Sequence, residues 1–396
     1  MSNPLALLRA LLDGRTDRED EARILELLRT ATPAELDGLL AGVDSDRLFA
    51  QVDDRLVGPD NNRALRQLLA VERRDDLTTA GRAAVIYALQ SGRTDTEAEE
   101  LIRDLFLTVH GEALTDLKNR VNSRTDQHDL EGLVFVDIDS DEVRQAILEH
   151  FRAEVPQAPI GEGSPHREAK VLSDIDDTCF SKIHEVRWPK GVVVPGVLAV
   201  YEALDQGPED QPVSLGDLTF VTARPGDAFG LIENHSRAAL RNAGIANLSV
   251  LAGGFINLAT KDSMAANKVV NISHYAKLFP EYDVVFIGDS GQGDVITGEQ
   301  IIEEHGDVVR AVLIHDVVNT PEEKRAEWRE KRIYFFDTYV GAAQISRELG
   351  LVSEKGVREV ISETRSLTDQ VTWDSPEQEQ AMRALIGRDV QATGLG

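Results

Sequence analysis

The chain is expected to be an α/β protein, a doubly wound parallel sheet preceded by an all-α domain, and three features of the sequence carry that expectation. After Ala169, apolar runs of strand length alternate with helical segments, the pattern of strands buried on both faces of a parallel sheet. Before about residue 125, apolar positions recur at three- and four-residue spacing and few stretches read as strands. Several of the later runs end in an acid or a hydroxyl, where a doubly wound sheet opens its crevice.

The helical part, residues 1–125, contains "ILELLRTATPAELDGLLAGV" and "EAEELIRDLFLTV", and it repeats itself. "GRTDREDEARILELL" from Gly14 matches "GRTDTEAEELIRDLF" from Gly92 at an offset of 78 residues, and each is followed by a second helical run. Two related units that stack to share a core are the expected result. Thr16 and Thr94 are placed to cap the first helix of each unit, with acids in the first turn to offset the helix dipole. The Gly-led Thr-Asp start resembles distantly an annexin repeat, which implies calcium-dependent membrane binding. Here the glycine-rich loop of that family is reduced to one Gly before Arg15 or Arg93, so a plain helical scaffold is the expectation.

Residues 126–169 read as a connecting segment and linker, ending in "RAEVPQAPIGEGSPHREA", where Pro, Gly and polar residues leave no apolar period. Within it, "LVFVDIDSDE" at Leu133 to Glu142 has a strand-like run and an Asp-x-Asp. The chain then enters a helix directly, so Ser140 reads as an N-cap with Asp141 and Glu142 in the first turn. Residues 170–350 form the expected catalytic domain, with six runs: "AKVLSDI", "DLTFVTA", "LSVLAG", "DVVFIGD", "VVRAVLIHD" and "RIYFFDT". Residues 351–396 add amphipathic helices, "EKGVREVISETRS" and "SPEQEQAMRALIG", with no chemistry of their own.

Composition narrows the function. A chain of 396 residues can bury a large core without metal or disulfide staples, and its single cysteine, Cys179, excludes an internal disulfide. No apolar run approaches the roughly eighteen residues of a membrane span, and the amphipathic, soon charged N-terminus lacks the pattern of a secretory signal. A cytoplasmic protein is expected, with peripheral membrane association through the N-terminal helices left open. The net charge of −27 disfavours non-specific attraction to nucleic acid or to anionic lipid, because both need a basic footprint, and leaves room only for a local basic patch.

The chemistry is concentrated in "VLSDIDDTCF", Val171 to Phe180, where three carboxylates crowd four residues. Later strands deliver Thr222 in "FVTARP", Asp289 in "FIGD" and Asp294 after the "SGQG" turn. Asp174-Ile175-Asp176-Asp177-Thr178 resembles the first motif of the haloacid-dehalogenase superfamily of phosphohydrolases. Thr222 resembles its second-motif hydroxyl, Lys268 its third-motif lysine, and "GDSGQGD" its acidic fourth motif, in the right order at spacings of 48, 46 and 21 residues. A narrower resemblance is to the catalytic domain of actin-patch-associated phosphatidate phosphatases and their bacterial relatives. It rests on "SDIDDT", "VPGVLAVYEAL", "LFPEYDVVFIGDSGQGD" and "FFDTYVGAAQISRELGLVS".

The resemblance implies a Mg²⁺-dependent phosphatase. Asp174 is the expected nucleophile, forming an aspartyl-phosphate, and Asp176 the acid that protonates the leaving group and then activates water. Thr222 and Lys268 would hold the phosphate oxygens. Asp174, the Asp176 carbonyl, Asp289 and Asp294 would bind the metal, an all-oxygen set that suits Mg²⁺. Arg224 is equally placed to meet substrate or to brace a nearby acid. Asp177 and Thr178 are expected to order the turn, and His315 to be a satisfied structural histidine, with a substrate contact as its alternative. The thiolate of Cys179 should be disfavoured by the neighbouring acids, and "GDSG" at Gly288 to Gly291 lacks the β-barrel setting of a serine protease.

Only 14 residues separate Phe180 from Pro195, and the stretch from Pro225 to Asn267 is used up by a helix, a strand and a loop. Neither leaves room for a large cap domain, so an open site is expected, suited to phosphatidate or a related lipid phosphate. The "VTARP" form of the second motif, common across the superfamily, keeps a soluble nucleotide, a sugar phosphate or a nucleic-acid end as alternative substrates. A membrane- or partner-binding helical module with an accessory phosphatase domain is the alternative of another class.

Overall fold

The computed structural model describes residues 3–52, 60–91, 94–123, 129–155, 168–209, 218–225, 249–253 and 261–396, without the side chains of 218–225, 249–253 and 261–264. The chain divides into two compact units, Met1–Val155 and Pro156–Gly396.

The first unit is helical: α1 (Pro4–Leu11), α2 (Arg18–Thr30), α3 (Pro33–Gly42), α4 (Ser45–Gln51), α5 (Asn61–Gln67), α6 (Thr79–Gln90), α7 (Thr96–Leu107), α8 (Gly111–Asn122), α9 (Leu130–Gly132) and α10 (Asp141–Ala153). The repeat is structural, since α2 and α7, and likewise α3 and α8, start 78 residues apart. The caps fall one residue later than expected. Asp17 and Asp95, rather than Thr16 and Thr94, accept the first amides of α2 and α7. Thr16 instead donates its hydroxyl to the Gln51 carbonyl, and a carboxylate offers the helix dipole the charge that a hydroxyl lacks.

The repeat reaches further than its sequence match. Glu21 and Glu99, equivalent positions on α2 and α7, are both buried. Glu21 accepts from Asn61 Nδ2 at 2.7 Å, and Glu99 from the N–H groups of Asp139 and Ser140 at 3.0 and 3.1 Å. Asn61 and Asp139 are again 78 residues apart. This explains why residues 129–155, expected to connect, belong to the helical unit: Phe151 of α10 packs edge-on to Phe106 of α7 at 5.2 Å. The strand-like run Leu133–Asp137 is a π-helical turn, with Leu133 and Val134 buried. Ser140 caps α10, accepting from Val143 N. Most of the expected Pro/Gly linker lies outside the described residues.

In the second unit all six expected strands form: β1 (Ala169–Ser173), β2 (Leu218–Pro225), β3 (Ser249–Gly253), β4 (Asp283–Asp289), β5 (Val309–His315) and β6 (Ile333–Phe336). They make one parallel sheet in the order β3-β2-β1-β4-β5-β6. The order reverses between β1 and β4, where adjacent strand ends lead their loops to opposite sides and open a crevice. Among the described residues its helices are α11 (Val197–Gln206), α12 (Lys261–Leu278), α13 (Asp294–His305), α14 (Glu322–Arg329), α15 (Tyr339–Glu348), α16 (Glu354–Thr368) and α17 (Pro376–Thr393).

One face of the sheet, with Val171, Val285, Ile287 and Leu313, shares a core with α11, α15, α16 and α17. On the other, α12 lies against β2 and β3 and α13 against β4 and β5, with Gly298 of α13 seated on Val312. The amphipathic helices expected after residue 350 form and are part of this core: Val357 and Val360 of α16 and Met382 and Ile386 of α17 are buried in it. Gly196, at the start of α11, has φ +90°, and a Cβ there would collide with the Thr364 hydroxyl of α16. Only glycine serves both the turn and the close approach.

Candidate active site

β1 runs one step beyond its last strand residue, because Asp174 N donates to the Ile287 carbonyl at 2.8 Å. This fixes Asp174 at the mouth of the β1/β4 crevice. The chain then turns back through Asp177, which adopts a left-handed φ of 61°. That conformation, uncommon outside glycine, is held by what the side chain does. The buried Asp177 carboxylate accepts the N–H groups of Lys182, Ile183, His184 and Glu185 at 2.7–3.3 Å. The third acid of "DIDD" is therefore a turn residue, as the sequence suggested, and it pins residues 182–185 into a fixed flap.

The Lys268 ammonium, from α12, lies 2.7 Å from Asp174 Oδ1 and 2.5 Å from Asp294 Oδ1. All three side chains are buried. Burial alone would push the lysine toward neutrality, but the Asp174 and Asp294 carboxylates outweigh it and raise its pKa. Asp294 also accepts Asp289 N at 3.0 Å, and Gly288 leaves its side chain room, since a Cβ there would meet Asp294 Oδ2 at 2.5 Å. Asp289 is buried at the end of β4 and accepts from Gly291 N and Gln292 N.

Crowding shows in the titration of these acids. Burial first, with Asp294 and Asp176 adding repulsion against the relief from Lys268, pushes the Asp174 carboxyl up to about 7. Burial, with repulsion from Asp294 and Asp174, raises Asp289 well above the usual carboxylate range. Burial followed by Asp174 pushes the Cys179 thiol up to about 12, so it stays protonated.

Asp176 sits on the turn with its side chain 18% exposed and paired to Lys182 Nζ at 2.7 Å. Its carbonyl accepts from Gln292 Nε2 at 3.4 Å. Thr222 and Arg224 lie on β2 beside β1; their side chains are outside the described residues. Asp174, Lys268, Asp289 and Asp294 are thus brought together from β1, α12, β4 and the start of α13, and Asp176 stands at the rim.

A second layer of contacts was not visible in the sequence. His315, at the end of β5, faces Asp177 O with Nδ1 at 2.8 Å and Arg187 with Nε2 at 2.9 Å. Since a carbonyl only accepts and a guanidinium only donates, Nδ1 carries the proton and the ring is neutral. Burial and the adjacent Arg187 charge accordingly hold its pKa below the usual value. Arg187 in turn pairs with buried Glu185 at 2.5 Å. His315 is the satisfied structural histidine expected. Thr178 departs from expectation: its Oγ1 is buried with no hydrogen-bond partner, and the turn is held instead through its carbonyl, which accepts from Tyr339 Oη at 2.8 Å.

The residues fit a cation. Among the described residues, carboxylate oxygens of Asp174, Asp289 and Asp294 come within 4.8 Å of one another. Asp174 Oδ2 is buried without a hydrogen-bond partner, a cost that a ligand at that atom would remove. The donors are all oxygen, which suits Mg²⁺ or Ca²⁺ over softer metals. A second group, His110, His150 and Glu154, lies in the helical unit, where His110 and Glu154 pair with each other at 2.8 Å.

Residues 169–316 match the family described as phosphatidate phosphatase APP1, catalytic domain. The match covers β1 through the end of β5 and includes every acid of the crevice. It indicates an enzyme, a phosphoric monoester hydrolase. Comparison with curated proteins and with solved structures gave no match.

Proposed function

We propose that the second unit is a Mg²⁺-dependent phosphatase of haloacid-dehalogenase type, acting through an aspartyl-phosphate on Asp174, with phosphatidate or a related lipid phosphate as substrate. The observation that carries this reading is the state of Asp174. One carboxylate oxygen is held by Lys268 at 2.7 Å, and the other is buried and bare. A nucleophile needs just such an oxygen, fixed in direction and stripped of water. The family match supports the substrate class.

In this reading Asp174 Oδ2 attacks phosphorus, the bond to the leaving oxygen breaks, and Asp176 gives its proton to the leaving alkoxide. Water then attacks the aspartyl-phosphate at phosphorus, passing a proton to Asp176 and releasing inorganic phosphate with Asp174 restored. The partial exposure of Asp176 suits a group that exchanges protons with solvent. An incoming phosphate offers Lys182 a second anion and loosens its hold on Asp176. Lys268 stabilises charge on the transferring oxygens, aided by Thr222, with Arg224 a candidate substrate contact. Asp174, Asp289, Asp294 and the Asp176 carbonyl would hold Mg²⁺, which supplies charge screening between carboxylate and phosphate. The enzyme would work in the cytoplasm at a membrane surface.

The test is phosphate release with Mg²⁺ from phosphatidate, sugar phosphates, nucleotides and end-phosphorylated DNA. Preference for phosphatidate is expected; turnover confined to the soluble compounds would sink the lipid assignment, and turnover unaffected by chelation would sink the metal.

A further inference from the structure

The flap that Asp177 pins carries two large aliphatic side chains outward, Ile183 at 60% and Val186 at 74% exposure. An exposed aliphatic on a slack loop would fold inward, but this backbone has no freedom to do so. Its start is fixed by the four N–H bonds to Asp177. Between Ile183 and Val186, Glu185 is buried and paired to Arg187. After Val186, Trp188 stacks on Trp373 at 5.2 Å, and the Val186 carbonyl accepts from Gln378 Nε2 at 3.1 Å. The flap borders the crevice, since the His184 ring lies where a Cβ on Gly291, two residues after Asp289, would be 2.6 Å away. The adjoining loop adds Val318, 51% exposed, whose N–H and that of Val317 donate to Ser290 Oγ.

Charge points the same way. In a chain of net charge −27, residues 182–190 hold Lys182, Arg187 and Lys190 and a single acid, Glu185, which is buried against Arg187. Among the described residues, the flap beside the crevice thus presents rigid aliphatics together with the exposed Lys190 and the half-exposed Lys182, whose ammonium is paired to Asp176. That combination matches an anionic lipid surface, where aliphatic side chains enter the headgroup boundary and amines meet phosphates.

We infer that Ile183, Val186 and Val318 form the interfacial anchor by which this crevice is seated on an anionic bilayer. The inference rests on the lipid-phosphatase reading and names the surface that serves it. The test is the double variant Ile183→Glu/Val186→Glu in the full chain, assayed on long-chain phosphatidate in phosphatidylcholine vesicles and on monomeric short-chain phosphatidate. Loss of about tenfold or more in kcat/KM on vesicles is expected, with short-chain turnover within about twofold of wild type. Unchanged vesicle turnover, or equal loss on both substrates, overturns the inference. Flotation with the same vesicles separates it from the functional reading. If the wild-type chain hydrolyses neither phosphatidate, the reading fails, and the anchor stands only if wild type floats and the variant does not; equal flotation overturns it.

Discussion

Lys268 Nζ bridges Asp174 Oδ1 and Asp294 Oδ1, at 2.7 and 2.5 Å, with all three side chains buried. One cation thereby answers two of the three carboxylates gathered there, and the bare Oδ2 of Asp174 is left for chemistry. The lysine holds the crevice acids together and orients the Asp174 carboxylate with the same ammonium.

Replacing Asp174 with Asn keeps the shape and removes the proposed nucleophile. Turnover should fall on the order of 10⁴-fold or more, while the circular dichroism spectrum is unchanged. Activity within tenfold of wild type would remove Asp174 from the reaction.

Lys268→Met leaves buried acids without their cation. Breaking a buried pair from one side costs about 3–5 kcal/mol, so a large drop in Tm is expected. Mg²⁺ should restore part of it, since a divalent ion at the same acids replaces the missing charge; calorimetry with and without Mg²⁺ checks this.

Metal-free stability should depend on pH through Asp174. Its folded pKa, about 7, lies above the ordinary value near ~4, so the folded state binds the proton more tightly than the unfolded chain. The stabilisation is full below about pH 4 and is lost as pH rises through 7. Asp289 shifts in the same direction. Tm in EDTA should therefore fall between pH 5 and pH 8, and Asp174→Asn should flatten that fall. An identical slope in the variant would refute the assignment.

Gly196→Ala forces a side chain onto a left-handed backbone and into Thr364. A loss of at least ~2 kcal/mol is expected by urea unfolding. Truncation after Leu349 should give an aggregated or molten second unit, because α16 and α17 supply part of its core.

The six strands were legible because a parallel sheet buries both faces, and continuous apolar runs such as "VVFIGD" have few other homes. The crevice acids were legible because they recur at strand ends in one order. What α16 and α17 pack against was not, since an amphipathic period shows that a face is buried without naming its partner. The run Leu133–Asp137 was misleading for a related reason: short apolar segments fit a buried helical turn as well as a strand. Glu185, Arg187 and Lys182 gave no signal, because single charged residues in a loop look alike whether they face water or brace a histidine. The caps slipped by one residue because Thr-Asp offers two competent acceptors, and only the packing of Thr16 against Gln51 decides between them.

The return of α17 to the core has a consequence for synthesis. Strands and crevice acids are all translated before residue 376, yet the apolar face that steadies them is completed by α17. A nascent or prematurely terminated chain would carry the whole set of reactive side chains on an unfinished scaffold. A chain cut short before α17 is expected to present its uncovered core to chaperones and proteases.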